Sequence, residues 1–162
     1  MQPLLLFQLL TLIAVANAIP VFAMKLFGAA AAWPLDCGLT MSDGRPLLGV
    51  SKTIRGIVLS VLLTPVVAML IGLNWEVGLV VAASAMAGDA TSSFLKRRMG
   101  FAPSSQAIGL DQIPEALLPL LAARWLLPIT LVDVLVGTVL FVVGSLVVSR
   151  LLFKLNVRDK PY

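Results

Sequence analysis

Long apolar runs alternate with short polar segments along this chain. The apolar runs, each of helix length, span residues 3–24, 56–75, 77–95, 113–128 and 131–153. A helix needs roughly 20 predominantly apolar residues to cross the hydrocarbon core of a bilayer. The pattern therefore predicts an all-α, polytopic membrane protein with about five transmembrane helices.

Composition strengthens this prediction and removes several classes of chemistry. Of the 162 residues, 59% are hydrophobic and only 12% are charged, whereas soluble domains carry about 25% charged residues. No polar stretch is long enough for a soluble appendage, so we expect a single domain over residues 1–162. The chain contains no histidine, which excludes imidazole acid–base catalysis and histidine-ligated zinc. Cys37 is the only cysteine, so no internal disulfide is expected.

Lysine and arginine residues fall in alternate connections between the apolar runs. They occur in the loop from 25 to 55, in the segment 96–98 and in the C-terminal tail, but not at the N-terminus or near Asn74. Because cytoplasmic loops carry an excess of basic residues, we expect the N-terminus outside, the C-terminus in the cytoplasm, and both polar loops on the cytoplasmic side of the cell membrane. Ala16-Asn17-Ala18 resembles a signal-peptidase site, but no basic residue precedes Lys25, so the first span is expected to be retained.

The third apolar run ends in an acid beside a basic cluster at 96–98. The residues spaced i, i+3, i+4 and i+7 there, which share one helical face, are Asp89, Ser92, Ser93 and Lys96. An acid inside a membrane span is costly and points to a functional site. We therefore predict that Asp89 binds magnesium and that the hydroxyls and Lys96 contact phosphate. The alternative is an Asp–Lys pair at a helix end, with the basic cluster as an interfacial anchor.

A second acid, Asp111, precedes the fourth apolar run. By itself it fits the N-cap of a helix that has Pro114 in its first turn. Magnesium is usually held by one or two carboxylates together with substrate phosphates and water. Together with Asp89, Asp111 is therefore a candidate second metal ligand. Glu115 and Arg124 in the same run are too far apart for a local pair. Either could reach the cavity, and we assign neither a role.

The loop before the second apolar run is rich in glycine and basic residues. Its stretch from Gly44 to Thr53 approaches the P-loop pattern, but Lys52 lies two positions too late and no strand precedes it, so a P-loop is excluded. Lys52 and Arg55 can still bind phosphate at the start of the second helix, where free N–H groups and the helix dipole favour anions. The alternative is a basic anchor beside the membrane.

Four segments, in this order, resemble the CDP-archaeol synthase family: PLDCG (34–38), DGRPLLGVSKTIRG (43–56), GDATSSFLKRR (88–98) and LDQ (110–112). The resemblance covers nearly the whole chain, including ANAIP at 16–20. Members of this family are small membrane cytidylyltransferases related to the CDP-diacylglycerol synthases. The resemblance implies that the chain uses CTP and Mg²⁺ to convert a membrane lipid phosphate to a CDP-lipid, with release of pyrophosphate.

The resemblance and the patterns above assign roles to individual residues. Asp89 and Asp111 are expected at the metal, and Asp89, Lys52 and Lys96 are expected in catalysis. The residues expected to bind substrate are Asp43, Arg45, Thr53, Arg55, Ser93, Arg97 and Gln112. Asp36 is expected to shape the first loop or to help hold nucleotide or metal.

Two functions other than catalysis are compatible with the pattern. A small transporter or channel would distribute polar residues along a whole pore, whereas here they gather towards the predicted cytoplasmic side. A non-enzymatic subunit would use its basic loops to bind anionic lipid or a partner, and it would not bind CTP with magnesium. The partners expected for the enzyme are CTP, a membrane lipid phosphate and the bilayer, without nucleic acid. The chains of the lipid and the oligomeric state stay open.

Overall fold

The computed structural model describes residues 2–102, 105 and 107–154. This part of the chain forms five α-helices: α1 (Pro3–Phe27), α2 (Ile54–Leu70), α3 (Trp75–Arg98), α4 (Gln112–Ala123) and α5 (Leu131–Lys154). Apart from two isolated β-bridges, the described residues contain no strand. The predicted all-α architecture with five helices is therefore confirmed. Arg158 and Lys160 of the basic tail lie outside the described residues.

Helix lengths differ from those expected. Among the described helices, α1, α3 and α5 are long and apolar enough to cross a membrane. α2 has 17 residues and α4 has 12, or about 26 and 18 Å at 1.5 Å per residue, against a hydrocarbon core of about 30 Å. The predicted ends at 75 and 128 are therefore too late. The chain turns at Gly72, where φ is +83°, and α4 ends at Ala123 in a turn in which Arg124 and Trp125 donate to carbonyls three residues back.

α3 lies at the centre of the bundle. It packs against α1, α2 and α4, while α5 packs against α4 and, less extensively, α1. Side chains that are fully buried where these helices meet include Leu9, Leu12, Val81 and Leu120. Large apolar side chains on the outer faces of α2 and α5 are exposed instead, Leu62 among them. Outward apolar faces of this kind suit contact with lipid tails, so they agree with a membrane location.

Both polar loops lie at the same end of the bundle. Arg98, the last residue of α3, binds both carboxylate oxygens of Asp43 at 2.7 Å. Arg45 donates to the backbone carbonyl oxygens of Arg98 at 2.8 Å and Arg97 at 3.4 Å. Because the last carbonyls of a helix lack intrahelical partners, the first loop caps α3 through these bonds. The two basic loops therefore face one side together, as the charge pattern predicts.

Asp36 organises the first loop from inside. Its Oδ1 accepts a hydrogen bond from the N–H of Gly38 at 3.1 Å, and its Oδ2 accepts from the N–H groups of Leu48 and Gly49 at 2.8 and 2.9 Å. Burial acts to raise the pKa of this carboxyl, but the backbone donors favour the ionised form and together hold the pKa below its ordinary value of 3.8. These bonds support the loop-shaping role expected for Asp36.

We expect Asp36→Asn to destabilise the protein by about 1–3 kcal/mol near neutral pH, because the amide nitrogen cannot accept from the backbone donors. The carboxylate contribution is fully present above the unfolded-state pKa and is lost as pH falls through the lower folded-state pKa. Thermal unfolding in detergent should therefore show a difference between wild type and variant that is large near neutral pH and shrinks below about pH 4. A difference that persists undiminished in acid would contradict this role.

Candidate active site

Lys52 is held at the inner edge of the first loop by the start of α2. Thr53 is the N-cap of α2, and its hydroxyl accepts a hydrogen bond from the N–H of Gly56 at 3.2 Å. The carbonyl oxygen of Lys52 accepts from the N–H of Leu35 at 2.7 Å. The side chain of Lys52 forms an ion pair with Asp89 on α3. Because only about a fifth of each side chain is exposed, at 20% and 21%, water screens this pair only in part.

A second ion pair forms about two turns further along the same face of α3, at Lys96. The Nζ of Lys96 lies 2.6 Å from Oδ1 of Asp111 and donates to the carbonyl oxygen of Ser105 at 2.9 Å. The Oδ2 of Asp111 accepts from the N–H of Ala107 at 2.9 Å. The second polar loop is therefore tied to α3 through the lysine that the sequence assigns to phosphate. Each of the two predicted metal-binding acids therefore forms an ion pair with one of the two predicted catalytic lysines.

Both ion pairs line one cavity of about 740 Å³, a volume typical of small-molecule sites. The charged residues in its wall are four cations and three acids: Lys25, Lys52, Lys96, Arg97, Asp89, Asp111 and Glu115. α1 adds the apolar side chains of Val21 and Met24, and α5 adds Ser145 and Ser149. A wall that is charged on one part and apolar on another suits a ligand with a phosphorylated head and an apolar tail.

Most of the predicted site residues meet in this cavity. Those that line it are Lys52, Thr53, Asp89, Ser93, Lys96, Arg97, Asp111 and Gln112. Ser92 is the exception on the predicted face of α3, because it does not belong to this lining and its hydroxyl donates to the backbone carbonyl of Asp89 at 2.9 Å. Gln112 also accepts from the N–H of Gly109 at 2.7 Å, which closes the turn before α4.

Three predicted substrate-binding residues lie away from the cavity wall. Asp43 and Arg45 join the first loop to the end of α3, as described above. Arg55 donates to the carbonyl oxygens of Ala30 and Gly28, the latter at 2.9 Å. Through these hydrogen bonds, Arg55 binds backbone carbonyl groups at the C-terminal end of α1 and in the turn that follows it. Substrate binding by the three residues stays a prediction that their contacts do not support.

Arg97 is the least satisfied charge in the cavity wall. Only 3% of the residue is exposed, and its Nε and Nη1 atoms are buried without a hydrogen-bond partner in the described part of the chain. Asp111 is the acid that acts on it electrostatically. A buried guanidinium with unpaired N–H groups carries a large desolvation cost. An anionic ligand in the cavity would offset that cost.

Glu115 is the acid in the cavity to which no role is assigned from the sequence. Its carboxyl group lies within hydrogen-bonding reach of Asp89, and Lys52 and Asp111 are close enough to act on it electrostatically. Two signals in the sequence point to it: it is an acid inside an apolar run, and its spacing of i+4 from Asp111 places the two acids on one helical face. Asp89 therefore has two side-chain neighbours, Lys52 from the loop just before α2 and Glu115 from α4.

Gly88 brings α4 close enough to α3 for this contact. A Cβ atom at Gly88 would lie 2.3 Å from the carbonyl oxygen of Pro114 and 3.0 Å from the backbone nitrogen of Glu115. Because these are backbone atoms, no rotamer change can make room for a side chain. The missing side chain at position 88 therefore positions Glu115 beside Asp89.

We expect Gly88→Ala to lower the free energy of unfolding by about 1–3 kcal/mol, since the helices must separate to admit a methyl group. Gly144→Ala is the matched control, because a Cβ there has no heavy atom within 4 Å, and alanine in a helix is favoured over glycine by about 0.5–1 kcal/mol. Thermal unfolding of the two variants measures the difference. Equal stability of both would contradict the close helix crossing.

The fold and the cavity define a class of protein, a small helical membrane protein with a mixed-charge cavity at one end of its bundle. A model of the CarS-like CDP-archaeol synthase family matches residues 3–78 and 71–162. The chain belongs to the CDP-archaeol synthase family. The resemblance seen in the sequence is thereby confirmed, and with it the class of enzyme, a CTP-dependent cytidylyltransferase that acts on a lipid phosphate.

Individual relatives agree with this assignment. The CDP-archaeol synthase of Sulfurisphaera tokodaii is 29% identical over 137 residues, which cover 80% of this chain and 81% of the relative. That of Hyperthermus butylicus is 35% identical over 119 residues, 68% of each chain. The match to that of Methanopyrus kandleri is 44% identical but spans half the length of each chain. A solved structure of an intramembrane enzyme for archaeal membrane lipids biosynthesis matches with a TM-score of 0.67 and 28% identity, covering 87% of this chain and 90% of that one.

Proposed function

We propose that this protein transfers the cytidylyl group of CTP to the phosphate of a membrane lipid, with Mg²⁺, in the cavity that Asp89 and Arg97 line. The observation that carries the proposal is the buried guanidinium of Arg97, whose Nε and Nη1 have no partner among the described residues. Lys52 and Lys96 line the same cavity. Planar guanidinium and ammonium groups together suit a polyphosphate, to which they donate charge-assisted hydrogen bonds.

The reaction we propose needs no base. A lipid phosphate dianion already carries a nucleophilic oxygen, which attacks the α-phosphorus of CTP. The new bond joins this oxygen to the α-phosphorus, and the bond from the α-phosphorus to the bridging oxygen of the β-phosphate breaks, so that pyrophosphate leaves. Lys52, Lys96 and Arg97 stabilise the negative charge that develops on the phosphoryl oxygens. Phosphoryl transfer of this kind depends mainly on positioning and electrostatics, which agrees with a chain that has no histidine.

The acids of the cavity suit a magnesium ion. Mg²⁺ is typically held by one or two carboxylates and completes its coordination with phosphates and water. No three His, Cys, Asp or Glu residues within the described ranges converge on a closed metal site, so the phosphates of CTP would supply the remaining ligands. Asp89 and Asp111 are the proposed protein ligands, as the sequence indicates. The bound ion would neutralise phosphate oxygens and the departing pyrophosphate.

Ion pairing in the cavity has a consequence for substrate binding. Lys52 is paired with Asp89, and Lys96 with Asp111. When the acids bind the metal ion, the phosphates of CTP would replace them as the anionic partners of the two lysines. The charge of these phosphates equals or exceeds that of the carboxylates. The pairs therefore hold both lysines in place before substrate binds, which lowers the entropic cost of ordering two long side chains.

We further propose that the cavity opens to the cytoplasm and to the inner leaflet. The basic loops that surround it are those that the charge pattern places in the cytoplasm, where CTP would enter. Val21 and Met24 of α1 supply an apolar part of the wall, next to α5. A lipid with its phosphate in the cavity would keep its tails along this side.

Incubation of the purified protein in detergent or liposomes with labelled CTP, Mg²⁺ and a panel of lipid phosphates tests the proposal. We expect a CDP-lipid and pyrophosphate in equal amounts, identified by mass, and none when Mg²⁺ is removed by chelation. Ion or solute flux through liposomes without CTP turnover would favour a transporter instead. Absence of magnesium-dependent CTP binding would favour a non-enzymatic subunit.

A further inference from the structure

Glu115 lies where the proposed reaction needs a metal ligand, although nothing in its sequence context assigns it a role. Its carboxyl group lies within hydrogen-bonding reach of that of Asp89, and both residues line the cavity. Two carboxylates in contact repel each other unless a proton or a cation lies between them. A proton can occupy this position before a ligand binds, and in an enzyme that binds a nucleoside triphosphate a divalent cation is available to replace it.

The fold holds the two acids together through rigid backbone. Asp89 follows Gly88 on α3, and Glu115 follows Pro114 in the first turn of α4. The α3 and α4 backbones touch at this step, since a Cβ at Gly88 would lie 2.3 Å from the carbonyl oxygen of Pro114. The Asp89–Glu115 contact is therefore a consequence of helix packing rather than of a mobile loop. Ligands on rigid helices hold a metal more accurately than ligands on loops.

Asp111 is less available than Glu115 for the same position. Both oxygens of Asp111 have neighbours: Oδ1 lies 2.6 Å from Nζ of Lys96 in an ion pair without hydrogen-bond geometry, and Oδ2 accepts from the N–H of Ala107. The described neighbours that act on Glu115 include two acids, Asp89 and Asp111, and the cation Lys52, which is already paired with Asp89. Glu115 thus adds a further carboxyl group beside the Lys52–Asp89 ion pair.

We propose that Glu115 is a ligand of the divalent cation, beside Asp89, and that these two carboxylates form the preformed part of the metal site. The inference rests on the proposed function, because the phosphates of CTP would supply the remaining metal ligands. A purely structural Glu115 would instead be a hydrogen-bonding neighbour of Asp89 with no effect on cation binding.

Mn²⁺, a spectroscopic substitute for Mg²⁺, tests this ligand role without catalysis. The full-length protein in detergent is titrated with Mn²⁺ in the absence of CTP, and free Mn²⁺ is followed by its electron paramagnetic resonance signal. We expect Glu115→Gln to weaken Mn²⁺ binding by at least about tenfold, since even residues behind a metal ligand typically contribute that much. Glu76→Gln is the matched control, because Glu76 is exposed in the first turn of the same helix as Asp89. It should bind Mn²⁺ as the wild type does.

Glu115→Met is a second variant, for the case that the amide of Glu115→Gln destabilises the protein. The methionine side chain has a similar length and is apolar, so it needs no hydrogen-bond partner. This variant is expected to lose Mn²⁺ affinity to the same extent while remaining monodisperse. A wild-type protein that binds no Mn²⁺, or Glu115 variants that bind it like the wild type, would overturn the inference. If the wild type forms CDP-lipid but the Glu115 variants bind Mn²⁺ with the same affinity as the wild type, the inference about Glu115 fails and the proposed function stands. If the wild type forms no CDP-lipid from any lipid phosphate, the proposed function fails, whatever the Mn²⁺ titrations show.

Discussion

Asp89→Asn should reduce CDP-lipid formation by about 10²- to 10³-fold or more, the range for loss of one charge-stabilising group from an active site. Two effects combine in this variant. The amide is a poor ligand for Mg²⁺, which prefers carboxylate and phosphate oxygens. Lys52 also loses the ion pair that holds it in the cavity. The rate at saturating CTP and Mg²⁺, measured with labelled CTP, reports the loss.

Insertion and folding of Asp89→Asn should be preserved, because an amide is less costly than a carboxylate in a membrane span. Gel filtration in detergent and thermal unfolding check this. Glu76→Gln, at the opposite end of α3, should retain full activity. Normal turnover by Asp89→Asn would refute the assignment of Asp89 to the metal and the catalytic site.

Arg97→Gln should weaken CTP binding by about 10- to 100-fold, since hydrogen bonds to charged groups contribute about 1.5–3 kcal/mol. The same change removes a buried cation whose Nε and Nη1 lack partners among the described residues. The variant without ligand should therefore be as stable as the wild type or more stable, because a desolvation cost disappears. Thermal unfolding with and without CTP and Mg²⁺ separates the two effects.

The combination of unchanged stability without ligand and a lost CTP-induced shift in Tm is the expected signature of Arg97→Gln. Arg124→Gln is the control, because Arg124 is exposed and its Nε donates to the carbonyl oxygen of Ile129 at the other end of the bundle. Its CTP-induced shift should equal that of the wild type. A variant at Arg97 that unfolds more easily yet binds CTP normally would show that the guanidinium is structural.

Helix number followed from the sequence, whereas helix ends did not. Five apolar runs correspond to five helices, since apolar periodicity and length report burial in lipid or protein directly. The fourth run was expected to reach 128, yet α4 stops at Ala123. Apart from Arg124, apolar residues continue to Leu127. The turn that ends the helix depends on packing and backbone hydrogen bonds, which the sequence pattern does not report.

Within the site, Asp89 and the lysines were found because charges in an apolar chain are rare and their helical spacing is readable. Arg55 was grouped with Lys52 by proximity in sequence, yet its side chain turns to the end of α1. Glu115 has no role assigned from the sequence because the chain separates it from Asp89 by 26 positions, and only the crossing at Gly88 brings them together.

The sequence by itself determined the membrane class, the helix count, the shared side of the two basic loops and most of the charged residues of the cavity. These properties depend on composition, period and charge order, which are local along the chain. The tertiary structure alone decided which acid pairs with which lysine, that Arg97 is buried without a partner for two of its nitrogen atoms, and that Glu115 reaches Asp89. Such contacts are set by the distance at which helices pack, and a single glycine can change that distance.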